Sequence, residues 1–150
     1  MGKSGETMFI GQFEHTIDEK NRVAIPAKFR KTLIGSAVIT KGLDGCLFLF
    51  SKEKFDKMAS GIGELPLSKS SARLYGRLML ASAAEVDFDN QGRIVMPAYL
   101  KKYAKIMKDT FILGIYDRVE IWDKKVWLDL SQKTDKKAES IIEDLSQLGI

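Results

Sequence analysis

Hydrophobic and polar positions alternate near the start of the chain, where Phe13, His15 and Ile17 are separated by polar side chains. A period of two places alternate side chains on opposite faces of a strand, so residues 13–18 are predicted to form a half-buried strand. The pattern returns 71 residues later, where Phe88 takes the position of Ile17. The chain is therefore expected to contain two copies of one structural unit.

The two copies match over far more than this one strand. Between residues 13–27 and 84–98, a Glu, an Asp, an Arg, a Pro and an Ala coincide, and the apolar positions agree in kind. Two further pairs of segments match beyond small insertions: 38–40 with 111–113, and 47–51 with 119–123. Each half is therefore predicted to run strand, turn, strand, short helix, strand, strand, helix.

Prolines and capping residues indicate where helices begin. Pro26 and Pro97 each follow a strand end, and proline suits the first turn of a helix. Short helices are therefore predicted at 27–31 and 98–102. Helices are also predicted to follow the good N-cap residues of the matched later segments, which are Ser51 and Asp123.

Helical spacing of apolar residues predicts two more helices. One lies within residues 68–84 and connects the halves, with Arg73 and Arg77 on one side. The other is an amphipathic C-terminal helix over residues 135–148. Its predicted apolar face consists of Ile141, Ile142, Leu145 and Leu148.

A strand-rich unit of about 45 residues cannot bury its apolar faces alone, but two copies in one chain can pair by exchanging hairpins. The fold is therefore expected to be β-rich α+β, with one interleaved β-barrel and short peripheral helices. The expected division is a disordered extension at 1–7, a first repeat at 8–57, a connecting helical segment at 58–83, a second repeat at 84–130 and a C-terminal helix or tail at 131–150.

Composition narrows the class of protein. The chain is 45% hydrophobic and 29% charged, which suits a globular domain with a core. No apolar stretch is long enough to span a membrane, and residues 1–7 lack the apolar core of a secretory signal. The single cysteine, Cys46, allows no intrachain disulfide and precedes an apolar run, so a buried thiol in a reducing cytoplasm is expected.

The formal net charge of +4 favours an anionic partner, and its distribution points to one place. Between residues 18 and 31 the chain carries two acidic residues and five basic ones. The basic residues of this stretch are Lys20, Arg22, Lys28, Arg30 and Lys31.

Each copy contains an Asp-x-x-x-Arg turn, at residues 18–22 and 89–93. An Asp side chain can accept backbone N–H bonds from the residues after it and so fix a tight reversal. The residue before each Arg is Asn21 or Gly92, and both types tolerate a left-handed backbone, so the loops are predicted to share one geometry. Two roles stay open: Asp and Arg brace the turn, or the turn presents side chains to DNA.

The side chains of both turns suit nucleic acid. Arg22 can bind guanine with two hydrogen bonds, Asn21 can do the same for adenine, and Lys20 can meet phosphates. The second turn has fewer cations but carries two amides, Asn90 and Gln91, that suit base edges. Because the first turn is the more basic, it is expected to make the stronger DNA contact.

Residues 8–15, the two turns followed by Pro-Ala and the segment 119–123 together resemble the MraZ family, bacterial regulators associated with the division and cell-wall gene cluster. The resemblance covers residues 8–130. It implies tandem SpoVT/AbrB-like swapped-hairpin units and a homo-oligomeric ring. Such a ring would bind short direct repeats in double-stranded DNA upstream of its own operon, as a cytoplasmic, nucleoid-associated protein.

The predicted DNA-binding residues come from two sources. Four match the family motif directly: Asp18, Arg22, Asp89 and Arg93. The others are added from charge, position and side-chain chemistry: Lys20, Asn21, Lys28, Arg30, Asn90 and Gln91.

An enzyme is a distant alternative. Glu85, Asp87 and Asp89 share one strand face and could hold a divalent cation, but the first copy lacks the middle carboxylate, so a solvated face is the simpler interpretation. The sequence has no nucleophile motif, no Cys/His metal spacing and no Gly-rich phosphate loop. No catalytic residue, metal, cofactor or small-molecule substrate is therefore expected.

A module that binds RNA or protein is the nearer alternative, because exposed aromatic residues on a sheet would favour single-stranded RNA. The aromatic residues instead occupy apolar runs or helix faces, which indicates core or subunit contacts: Phe48, Phe50, Trp122 and Trp127. Buried subunit contacts are expected near Met79 and Trp122.

Overall fold

The computed structural model describes residues 8–149, so the extension predicted at 1–7 lies outside the described residues. Eight strands and six α-helices occur within 8–149. The strands are β1 (Phe9–Thr16), β2 (Arg22–Ala24), β3 (Ser36–Lys41), β4 (Leu47–Ser51), β5 (Ala84–Asp87), β6 (Arg93–Val95), β7 (Asp109–Tyr116) and β8 (Arg118–Asp123). The helices are α1 (Ala27–Leu33), α2 (Lys52–Gly63), α3 (Ser70–Gly76), α4 (Ala98–Tyr103), α5 (Lys124–Lys136) and α6 (Ala138–Leu145).

The strands form one six-stranded antiparallel sheet, in the order β1-β7-β8-β4-β3-β5, and one two-stranded ribbon of β2 and β6. The halves exchange strands. In the large sheet, β1 of the first half pairs with β7 of the second over its whole length, and β5 of the second half pairs with β3 of the first. The prediction of a β-rich α+β fold is confirmed.

The predicted interleaved β-barrel is not confirmed, because the strands interleave but the sheet does not close. Within residues 8–149, β1 and β5 remain the edges of the six-stranded sheet, and the ribbon is a separate sheet. The physical reason lies in the tight turn after β1. β2 and β6 have three residues each and use them to pair with one another, which leaves one isolated bridge, Ile17 to Val23, between the end of β1 and the ribbon. One bridge does not make a continuous ladder.

The central strands of the large sheet are buried on both faces. Along β4, Leu47 and Leu49 belong to a core cluster shared with the ribbon, α1 and α4, whereas Phe48 and Phe50 point into a second cluster on the other face. The second cluster contains Cys46 and is covered by side chains of α2 and α5. The ribbon therefore lies on the opposite side of the sheet from α2 and α5.

This second cluster corrects one expectation. Met79 is fully buried and Trp122 is 3% exposed, and both pack within this cluster of a single chain. They are core residues of the subunit, so they do not supply the subunit contacts that were predicted there.

The predicted helix starts are confirmed. α1 and α4 begin directly after Pro26 and Pro97. The Ser51 hydroxyl accepts the Lys54 N–H at the start of α2, and the Asp123 carboxylate caps α5. Within 8–149 no helix combines the length and apolar character needed to cross a membrane.

Two helix extents differ from prediction. The connecting helix is α3 followed by a π-helical turn at Arg77–Ala81, where Thr40 of β3 donates its hydroxyl proton to the Met79 carbonyl at 2.7 Å. The C-terminal helix is divided, because α5 continues to Lys136 and α6 starts only after Lys137. A 3₁₀ turn at Ser146–Leu148 follows α6.

Candidate nucleic-acid interface

The ribbon of β2 and β6 has one buried face and one outward face. Val23 and Ile94 are paired in register and are fully buried. Because side chains alternate along a strand, their neighbours Arg22 and Arg93 share the opposite, outward face with Val95. The two arginines of the duplicated motif therefore emerge from one small surface.

In the first turn, the Asp18 carboxylate organises the whole loop. Its Oδ1 accepts the backbone N–H groups of Lys20 at 2.9 Å and Arg22 at 2.8 Å. Its Oδ2 accepts the side-chain Nε–H of Arg22 at 2.7 Å. Asp18 and Arg22 thus brace the turn.

The second turn repeats this bonding with its own residues. Asp89 Oδ1 accepts the N–H groups of Gln91 at 2.8 Å and Arg93 at 2.9 Å, and Oδ2 accepts the Arg93 Nε–H at 2.9 Å. The residues before the arginines, Asn21 and Gly92, have φ values of 62° and 76°. The prediction that both loops share one left-handed geometry is confirmed.

The bonding keeps both carboxylates ionised. The backbone N–H of Arg22 is the largest cause that lowers the pKa of Asp18, and the Arg22 side chain lowers it further. Arg93 acts in the same way on the pKa of Asp89. The arginine side chains are consequently held at fixed positions by charged partners.

Contacts between the repeats place the two turns side by side. The Met96 N–H donates to the Asn21 carbonyl at 2.7 Å, and the Ile25 N–H donates to the Gly92 carbonyl at 3.1 Å. Arg93 Nη1 also lies 3.7 Å from Asp18 Oδ2, across the repeat boundary. The turns therefore form one surface.

A cation from each repeat's helix reaches the turn of the other repeat. The Arg30 guanidinium of α1 covers Gly92, so closely that a Cβ at Gly92 would overlap it. On the other side, Lys101 of α4 donates from Nζ to Asn21 Oδ1 at 3.2 Å. Lys101 was missed in the sequence, although it follows Arg30 by the same 71 residues that separate the two turns.

The remaining predicted residues lie at the turn tips, with the exception of Lys28. Lys20, Asn90 and Gln91 are exposed at the tips. Lys28 is exposed on α1, where its Nζ lies 5.7 Å from the centre of the Phe13 ring. Within 8–149 no hydrogen bond or ion pair joins Lys28 to either turn.

The carboxylates of β5 point to solvent, and the single thiol is buried. Glu85 and Asp87 are exposed, and Glu85 Oε1 lies 3.7 Å from Lys52 Nζ. Within 8–149 no three His, Cys, Asp or Glu side chains are grouped closely enough to hold a metal ion. Burial raises the pKa of the Cys46 thiol far above its ordinary value, so this thiol is a poor nucleophile.

Comparison with known proteins identifies the family. The model of the family described as "MraZ protein, putative antitoxin-like" matches the chain twice, over residues 8–78 and 79–147. The chain belongs to the MraZ family. A transcriptional regulator MraZ of Thermoanaerobacter sp. (strain X514) is 50% identical over 143 residues, which cover 95% of this chain and 100% of that protein.

Two further MraZ relatives are similar to this chain over nearly their whole length. The transcriptional regulator MraZ of Acetivibrio thermocellus is 43% identical over 95% of this chain and 100% of its own length, and that of Lactiplantibacillus plantarum is 42% identical over 92% and 98%. The two MraZ matches meet inside the π-helical segment that follows α3. Each match therefore contains one Asp-x-x-x-Arg turn.

Proposed function

We propose that the chain regulates transcription by binding specific sequences in duplex DNA, and that the two Asp-x-x-x-Arg turns form the contact surface. One observation carries the proposal: Arg22 and Arg93 project from the same outward face of a two-stranded ribbon. A ribbon of this kind fits the major groove, where arginine recognises guanine. The regulator names of the relatives agree with this function.

The two arginines are unequal, which supports a leading role for Arg22. Both use Nε on their own aspartate, but Arg93 also places Nη1 within 3.7 Å of Asp18. Among residues 8–149 the terminal nitrogens of neither arginine form a hydrogen bond, and only those of Arg93 have a second carboxylate beside them. Arg22 is therefore the better placed to grip guanine O6 and N7.

Other exposed groups supply complementary contacts. Lys20 at the first tip faces phosphate, and the amides of Asn90 and Gln91 at the second tip face base edges. Val95, 57% exposed beside the two arginines, gives an apolar surface suited to a thymine methyl group. Asp18 and Asp89 act by fixing the arginines.

The family resemblance extends the proposal to assembly and to the target. Copies of the chain form a ring and bind short direct repeats upstream of their own operon, in the cytoplasm at the nucleoid. A ring presents its ribbons at regular intervals, so the repeats must recur on one face of the DNA, about 10 base pairs apart or at multiples of that spacing.

The proposal is tested by fluorescence anisotropy with duplex DNA from upstream of the reading frame. Competitors are a shuffled duplex of equal composition and RNA of the same sequence, each titrated across a range of salt concentrations. The expected results are a preference of about 10³-fold or more over the shuffled duplex and a steep fall of affinity with salt. Arg22→Ala should weaken this binding, and Lys133→Ala, which removes an exposed partner of Asp129 on α5, is its charge-matched control. Equal affinity for the shuffled duplex, or tighter binding to RNA, would contradict the proposal.

A further inference from the structure

An open apolar groove lies between the end of α2 and the segment formed by α3 and the π-helical turn. Its volume is about 430 Å³, and its walls include Leu65, Leu67 and Leu80. Leu67 is 82% exposed. Large apolar side chains left uncovered around a concave surface commonly mark a contact with another molecule.

The rim of this groove is basic. Lys69, Arg73 and Arg77 recur every four residues and so lie along one side of the helical segment. Arg73 and Arg77 line the groove itself, and Lys69 lines the depression that adjoins it. None of the residues lining either depression is acidic.

The C-terminal helix α6 has the complementary character. Its apolar stripe is exposed to solvent and continues into the 3₁₀ turn that follows it; the members are Ile141 (37% exposed), Ile142 (62%) and Leu145 (39%) of α6 and Leu148 (74%) of the turn. Residues 138–148 contain three acidic residues and no basic residue. At 100° per residue, Glu139 and Asp144 flank the stripe on its two sides.

We infer that α6 of one copy of this chain docks into the groove of a second copy. The apolar stripe would cover the leucines, while the flanking acids would meet Arg73 and Arg77. Helix and groove are different surfaces, so the contact is heterologous, and each copy offers one of each. Repetition of such a contact closes a ring when the rotation per copy allows it. The inference names the contact behind the self-assembly in the proposed function and rests on that part of it.

The occupant is a second copy and not the chain's own helix. In the structure, the stripe of α6 is exposed, so the helix does not cover its own groove. Only Lys137 separates α5 from α6, and it is bonded on both sides: its N–H donates to the Thr134 carbonyl at 3.0 Å, and its carbonyl accepts the Ile141 N–H at 2.9 Å. Folding α6 back onto its own groove would require these two bonds to break.

The test uses two complementary full-length variants and light scattering. The groove variant carries Arg73→Glu and Arg77→Glu, and the helix variant carries Ile142→Glu and Leu145→Glu. Each alone is expected to fall from the wild-type mass to the monomer mass of 16.9 kDa. Mixed in equal amounts at high concentration, they should form particles of twice that mass, because one intact helix still meets one intact groove. Met107→Glu, at a site 78% exposed, is the matched control and should keep the wild-type mass.

A charge reversal distinguishes loss of the docking contact from misfolding of the variants. Adding Glu139→Arg and Asp144→Arg to the groove variant should restore the wild-type mass, and circular dichroism should match throughout. Variants that keep the wild-type mass, a mixture that stays monomeric, or a monomeric wild type would each overturn the inference.

The DNA titration separates this inference from the proposed function. If the wild type assembles and prefers the upstream duplex while both variants keep its mass, only the docking contact is wrong. If the masses behave as expected but the upstream duplex is not preferred, only the DNA proposal is wrong.

Discussion

The contact between Arg30 and Gly92 predicts how the stability of the chain responds to a substitution in the second turn. Gly92 has a φ of 76°, and a Cβ at this position would overlap the Arg30 guanidinium. Gly92→Ala should therefore impose two costs, a backbone strain and the displacement of Arg30. Gly35 is a matched control, because it has nearly the same φ of 77° but open space around its Cβ position.

The expected magnitudes follow from these two geometries. A left-handed backbone costs a non-glycine residue about 1–2 kcal/mol, and the lower entropy of the unfolded chain with Ala returns about 0.4–1 kcal/mol. Gly35→Ala should thus lower the free energy of unfolding by about 1 kcal/mol. Gly92→Ala should lower it by a further amount of up to about 1 kcal/mol, in the lower part of the range of about 0.5–3 kcal/mol by which residues in contact couple, because the group that must shift is the end of the flexible Arg30 side chain. For a chain of this size the additional loss corresponds to at most roughly 2–4 °C in Tm.

Urea unfolding followed by circular dichroism, at one protein concentration, measures both variants. The two glycine variants are then repeated in an Arg30→Ala background, where the difference between Gly92→Ala and Gly35→Ala should disappear. Equal losses for both glycines in the wild-type background would refute the proposed role of Arg30. A difference that persists without Arg30 would place its cause elsewhere in the turn.

Three further predictions concern single groups. Arg22→Ala should weaken specific DNA binding by about 1–3 kcal/mol, roughly 10- to 100-fold, and should weaken it more than Arg93→Ala does. The mass and the circular dichroism spectrum should not change. Precipitation or loss of assembly would mean that the arginine mainly braces the turn. Because the pKa values of Asp18 and Asp89 are lowered in the folded chain, their contribution to stability is complete above the ordinary value of 3.8 and is lost as pH falls through the lower folded values. Changing both to Asn should therefore destabilise the chain at neutral pH, and the gap in urea midpoint from wild type should close on acidification; a gap independent of pH would contradict this. Cys46 is buried and should react with a thiol reagent only after unfolding. Fast labelling of the native chain would contradict this.

Much of the site could be predicted because its determinants are local. The turns depend on an aspartate and on a residue that tolerates positive φ, and both are visible in residues 18–22 and 89–93. Pro26 and Pro97 likewise fix the helix starts through their own rings. Because the two copies repeat at a fixed offset, the two loops are expected to be equivalent.

What the sequence did not predict depends on contacts between distant residues. The π-helical turn accompanies the bond from the Thr40 hydroxyl to the Met79 carbonyl, which joins residues 39 positions apart. The open sheet reflects a choice of pairing partner that no single segment encodes. Lys101 lies far along the chain from Asn21, and the only sequence signal for its place in the site is that it follows Arg30 by 71 residues.

Hydrogen exchange with and without upstream duplex DNA tests whether the two turns contact DNA. The backbone N–H groups of both turns are hydrogen-bonded to Asp18 or Asp89, so contact with DNA should slow their exchange further. Added protection is expected in residues 18–22 and 89–93, and DNA should leave the exchange of α6 unchanged. Protection confined to other surfaces, such as the basic row of Lys69, Arg73 and Arg77, with both turns unchanged, would contradict it.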